Sequence, residues 1–155
     1  MPAPQTFYEL ASSRLDDQMN RVDSLDAKAA SALAFAAALL PVFGAIIALS
    51  KAQRPTSATV LYVIAMLMYA ALLVCVFKAY RVTNWNLRPE IQTLQSYSET
   101  QDEDAMRIWV GNECVISIGK NEPRLIRKAH WTTAALALLA FDALFLSTAA
   151  LLTIR

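Results

Sequence analysis

Residues 129–154 read AHWTTAALALLAFDALFLSTAALLTI, an apolar run broken by a single charge, Asp142. The run exceeds the roughly 18 apolar residues that mark a helix able to cross a bilayer. Two more runs precede it, Ala29–Ser50 and Pro55–Phe77, and neither contains a charge. Together the three hold nearly half of the 155 residues. The whole chain is 56% hydrophobic and 17% charged, with a mean hydropathy of +0.36, a composition poorly suited to a soluble domain. The pattern predicts an all-α membrane protein: three transmembrane helices, an N-terminal amphipathic helix, and a helical cytoplasmic insert between spans two and three. By residue number these are an N-terminal cytoplasmic helix at 1–28, a transmembrane hairpin at 29–77 (29–50 and 55–77), an insert at 78–128 and a third span at 129–154. No cleaved signal peptide is expected, because the first apolar run lies behind the acidic residues Glu9, Asp16, Asp17, Asp23 and Asp26 rather than behind a short basic segment.

Basic residues resist translocation, so their distribution sets orientation. Arg14, Arg21 and Lys28 precede span one, and Lys78, Arg81, Arg88, Arg107, Lys120, Arg124, Arg127 and Lys128 lie between spans two and three. The opposite side holds only Lys51, Arg54 and Arg155. The expected topology in an inner (plasma) membrane has the N-terminus in the cytoplasm and the C-terminus outside. The link 51–54 followed by Pro55 suits a tight antiparallel hairpin. In the N-terminal helix, Phe7, Leu10, Leu15, Met19, Val22 and Leu25 suggest the apolar face. In the insert, Trp85, Arg88 and Pro89 mark a break and residues 97–104 an interruption. Met106–Ile118 reads as helix, with a short strand as the alternative, and Asn121 and Pro123 read as a fresh helix start leading into span three.

Asp142 falls near the middle of its span, where an ionised carboxylate costs at least about 2.5 kcal/mol. Thr132, Ala135, Leu139, Asp142, Leu146, Ala149 and Thr153 follow one another in steps of three and four, a small and polar seam. Two readings stay open. Either Asp142 is neutral and hydrogen-bonded to Tyr62, Tyr69 or a neighbouring hydroxyl, or it lines an ion path, as an acidic ring if copies assemble around the seam with Thr132 and Thr153. At the mouth of span one, Asp26 and Lys28 are two apart and point to different faces. Asp26 is expected to pair across helices with Arg127 or Lys128, which lie at the same depth, while Lys28 snorkels toward headgroups. Ala30, Ala34 and Ala38 form a small-residue row that permits close helix approach, and Pro41 should bend span one.

The insert interleaves Arg81, Arg88, Arg107, Lys120, Arg124 and Arg127 with Trp85, Tyr97 and Trp109. Guanidinium groups hold phosphate and aromatic faces stack bases, so the set suits a phosphorylated ring; ordinary interfacial anchoring is the plainer reading. Enzyme motifs are missing: there is one histidine, no Gly-rich phosphate loop and no nucleophile with an adjacent base. Cys75 and Cys114 form neither a disulfide framework nor a metal cluster, so no catalytic residue, metal or resident cofactor is expected. With a net charge of +1, no nucleic-acid partner is expected either.

The Asp26-Ala27-Lys28-Ala29 run at the mouth of the first span resembles the transmembrane effectors of Pycsar (pyrimidine cyclase) anti-phage defence systems. So do the hairpin after it, the charged insert, and the entry from Asn121 to Lys128-Ala129 into a last span. Related small transmembrane defence effectors look similar. The resemblance implies an antiviral membrane effector that responds to a cyclic pyrimidine nucleotide, cCMP or cUMP, supplied by a partner nucleotide cyclase, and that then disrupts inner-membrane integrity. An insert of about 50 residues is small for a ligand-binding domain, so the ligand is expected to bind between subunits of a homo-oligomer whose span-three seams meet as a pore. A membrane scaffold or subunit of a larger complex, held by lipids and another protein, and a small ion channel or transporter are the alternatives.

Overall fold

The computed structural model describes residues 3–49, 56–81, 83–87, 89, 91–99 and 101–154. Every regular element among them is a helix: α1 (Pro4–Leu49), α2 (Thr56–Tyr80), α3 (Ile91–Ser98) and α4 (Glu103–Ile154). Stretches of α1, α2 and α4 are long and apolar enough to cross a membrane. The link at 51–54, Pro55 and Arg88 lie outside the described residues. The chain packs as two compact units, one of Met1–Ser24 with Val82–Arg127 and one of Leu25–Arg81 with Lys128–Arg155. α1 and α4 contribute residues to both.

The second unit contains the apolar runs. α2 buries Ala58, Ala65, Leu72 and Ala79, one residue every seven, which is the repeat that keeps one face of a helix on its neighbours in a left-handed bundle. α1 buries Ala29, Ala32 and Ala36, and α4 buries Thr132, Ala135, Asp142, Leu146, Ala149 and Thr153. Ala36, Leu72, Cys75, Val76 and Ala135 form the shared core. Mostly small residues on α1 let the backbones approach closely, so dispersion acts over many atoms. Tyr80, at the end of α2, donates its hydroxyl to the Asp26 carbonyl at 3.0 Å, so α1 and α2 run antiparallel.

In the first unit, α1 packs on α4 through Ala11, Leu15 and Cys114, with Val110 and Ile118 beside them. The buried face of α1 is Ala11, Leu15, Gln18 and Val22, whereas Leu10 is 59% exposed. Leu15 and Val22 are buried as expected, while Ala11 and Gln18 are buried beside the expected Leu10 and Met19. Close packing selects the small Ala11, and Gln18 is held by its amide, which donates to the Ile118 carbonyl and to Glu122, each at 3.2 Å. Gly111 is buried opposite Phe7, and a Cβ there would lie 2.5 Å from the Phe7 ring. The glycine makes room for the aromatic side chain.

The fresh helix start expected at Asn121 and Pro123 is absent; α4 runs through both. Proline removes the hydrogen bond to the carbonyl four residues earlier. That carbonyl belongs to Gly119, an exposed residue with nothing within 4 Å of a Cβ built on it. Asn121 is fully buried and anchors the nonhelical segment instead: its Oδ1 accepts from the Asn86 amide at 2.9 Å and its Nδ2 donates to the Asn86 carbonyl at 3.0 Å. The Cys114–Ile118 stretch is helical rather than strand. α4 begins after a turn, with Asp102 Oδ1 accepting from the Ala105 amide at 2.8 Å, a side-chain cap on an otherwise unsatisfied first-turn donor.

Candidate functional site

Three groups of chemically distinctive residues emerge, one in the first unit and two in the second. The first is the basic and aromatic set. Arg107 salt-bridges Glu103 at 2.5 Å, one turn away on α4. Tyr97 and Trp109 stack with ring centroids 4.5 Å apart and planes 8° from parallel. Rings in that contact leave no slot for a base between them. Lys120, Arg124 and Arg127 follow at intervals of four and three and so share a face of α4. Arg124 donates to the Asn84 carbonyl, which puts this face beside the segment holding Trp85, a half-buried indole. Lys120 and Arg127 are exposed, and Arg81 is an exposed residue at the end of α2.

Helical rise separates these residues. From Arg107 to Arg124 is about 25 Å along α4 at 1.5 Å per residue, more than a mononucleotide spans. The expected ligand set is therefore two groups along α4, and the one holding Lys120, Arg124 and Arg127 meets the 83–87 segment through Arg124 and the Asn84 carbonyl.

The second group closes the mouth of the apolar unit. Lys128 Nζ lies 2.6 Å from Asp26 Oδ1 and donates to the Ala79 carbonyl at 3.1 Å. The carboxylate approach is an ion contact rather than an aligned hydrogen bond. One ammonium thus touches α1 and α2 from α4. Arg127, the other expected partner of Asp26, is exposed and belongs to the neighbouring face, and Lys28 is exposed as well.

Asp142 is the third. It is 0% exposed, and both carboxyl oxygens lack a hydrogen-bond partner among the described residues. The expected bond from Tyr62, Tyr69 or a hydroxyl is not made. Four hydroxyls along α4 are satisfied within their own helix: Thr132 donates to the Lys128 carbonyl, Ser147 to Ala143, Thr148 to Leu144 and Thr153 to Ala149. The seam on α4 is likewise consumed inside the chain, with Thr132 at 1%, Asp142 at 0% and Thr153 at 4% exposure. In the packed single chain the seam is therefore turned inward. α1 and α2 already cover it. The Ala30, Ala34 and Ala38 row, by contrast, faces outward. Comparison with protein-family models, curated proteins and solved structures found no match to this chain.

Proposed function

We propose that the protein is an inner-membrane effector of anti-phage defence that answers a cyclic pyrimidine nucleotide, cCMP or cUMP, by breaching the membrane. The observation carrying this reading is the Lys120–Arg124–Arg127 face beside Trp85, on the helix whose later residues form the third apolar stretch. Guanidinium and ammonium groups there suit a cyclic phosphate, and the indole suits a base face. The resemblance around Asp26-Ala27-Lys28-Ala29 supports the same reading. Binding between subunits couples ligand to assembly. The outward Ala30, Ala34 and Ala38 row supplies a face for close approach of copies, since the seam on α4 is already occupied.

Dye release from liposomes holding the purified protein tests it. Release on addition of cCMP or cUMP, but not of cyclic purine nucleotides, is the expected result. It is lost in Lys120→Glu with Arg127→Glu, two exposed positions whose reversal leaves the packed core intact. Release without nucleotide points to an ion-conducting protein. A folded, inserted protein that releases nothing points to a scaffold.

A further inference from the structure

Asp142 has no role in the nucleotide reading, and its surroundings carry a separate conclusion. Its carboxyl is 0% exposed and both oxygens lack a protein partner among the described residues. The elements packed around it supply no countercharge. α1 has no titratable side chain from Ala29 to Ile46, α2 offers Tyr62, Tyr69 and Cys75 with Lys78 and Tyr80 in its last turn, and α4 offers only Lys128 and His130 at the start of its apolar run. Lys128 is held by Asp26 and the Ala79 carbonyl.

A carboxyl in this position is compensated by a metal cation, by water or by a proton. A hard metal cation needs about six oxygen ligands. The buried hydroxyls of Thr132 and Thr153 are about 15 Å away or more along α4 and donate into their own helix. No group of three His, Cys, Asp or Glu able to hold a metal occurs among the described residues. Water requires several polar partners to stay buried, and the hydroxyls of Ser147 and Thr148, the nearer ones on α4, already donate within their own helix. A proton removes the charge outright, so it needs neither a ligand set nor several polar partners.

We propose that Asp142 is a proton-binding site in the middle of the three-helix apolar unit, occupied as the neutral acid when the helices are packed. Ionisation there draws in water or a cation, so loss of the proton is coupled to loosening of the bundle.

Treatment of the full-length protein in liposomes with the hydrophobic reagent dicyclohexylcarbodiimide tests this. A protonated carboxyl adds across the carbodiimide, and the O-acylisourea rearranges to a stable N-acylurea with no leaving group, so peptide mass spectrometry finds the reagent mass on the 142-containing peptide. The adduct is expected with this reagent and not with a water-soluble carbodiimide, and it is lost in Asp142→Asn. A second reading comes from infrared spectroscopy, where the C=O stretch of a neutral carboxylic acid should vanish in the same variant. Labelling by both reagents overturns the proposal, since Asp142 then faces water. Absence of both the adduct and the infrared band, in protein shown to be folded, also overturns it. The band without the adduct still supports it, because the reagent then simply fails to enter. None of these readings needs a nucleotide, so failure of the nucleotide reading leaves them unaffected.

Discussion

Lys128 holds α1 and α2 with one ammonium, and its side chain is 12% exposed against 34% for Asp26. Partial exposure screens the pair, so Lys128→Ala should cost about 1–2 kcal/mol rather than the larger penalty of a fully buried charge. Charge reversal discriminates its partners. Asp26→Lys should be rescued by Lys128→Asp and not by Arg127→Asp, as read by thermal unfolding in detergent. The rescue should be incomplete, because an aspartate at 128 cannot donate to the Ala79 carbonyl. Cys114 makes a second residue-scale prediction. Burial pushes its thiol up from the ordinary value, and the nearby charges of Asp16 and Glu113 add to the effect. A thiol whose folded value is raised binds its proton more tightly in the native state. Its contribution to stability is therefore complete at neutral pH and declines as pH rises through the ordinary thiol range and beyond. Alkylation at neutral pH should be slow in the native protein and fast after unfolding; equal rates would contradict this environment. Asp26 was legible as a paired residue from depth alone, since equal rise along two helices puts it opposite 127 and 128. The choice between those two rests on which side of α4 faces inward, a matter of packing.

At the scale of the element, α4 shows what periodicity can and cannot say. The small and polar seam from Thr132 to Thr153 is evident in the sequence as steps of three and four, and those residues, Leu139 apart, are buried. The continuity of α4 through Pro123 was not evident, because a proline normally argues for a boundary. Tertiary contacts outweigh it: Asn121 clasps both backbone groups of Asn86, and Leu125 is buried one turn on. Asn121→Ala should cost about 1–3 kcal/mol by stranding those groups and should increase hydrogen exchange of the Asn86 amide. Pro123→Ala should do the opposite, stabilising the protein by up to about 3 kcal/mol as the Gly119 carbonyl regains a donor. A Pro123→Ala variant that is less stable would mean the proline shapes α4 in a way its continuous helix does not reveal. The face of α1 toward α4 keeps the expected Leu15 and Val22 but differs at two positions for a related reason. Hydrophobicity favours Leu10 and Met19, whereas close backbone approach favours Ala11, and the amide of Gln18 is useful there only because the Ile118 carbonyl and Glu122 are within reach.

For the whole molecule, the asymmetry of lysine and arginine predicts an N-terminus in the cytoplasm and a C-terminus outside. A phosphatase active only outside the cytoplasm, fused after Arg155, should be active, and the same enzyme fused within 99–102 should be silent. The reverse pattern would invert the topology and move the Lys120–Arg124–Arg127 face away from any cytoplasmic nucleotide. By itself the sequence determined that the chain is helical, that three stretches are long and apolar enough to cross a membrane, and that Asp142 is anomalous. Each of these follows from local quantities: the length of an apolar run, the spacing of small residues and the cost of a charge among them. Only the tertiary structure decided that the seam around Asp142 is covered by α1 and α2 of the same chain, that α1 packs on α4 in the first unit, and that the basic residues fall into two groups along α4. Those outcomes depend on which faces meet, and facing is fixed by long-range packing and by helical rise between distant residues, neither of which a local pattern contains.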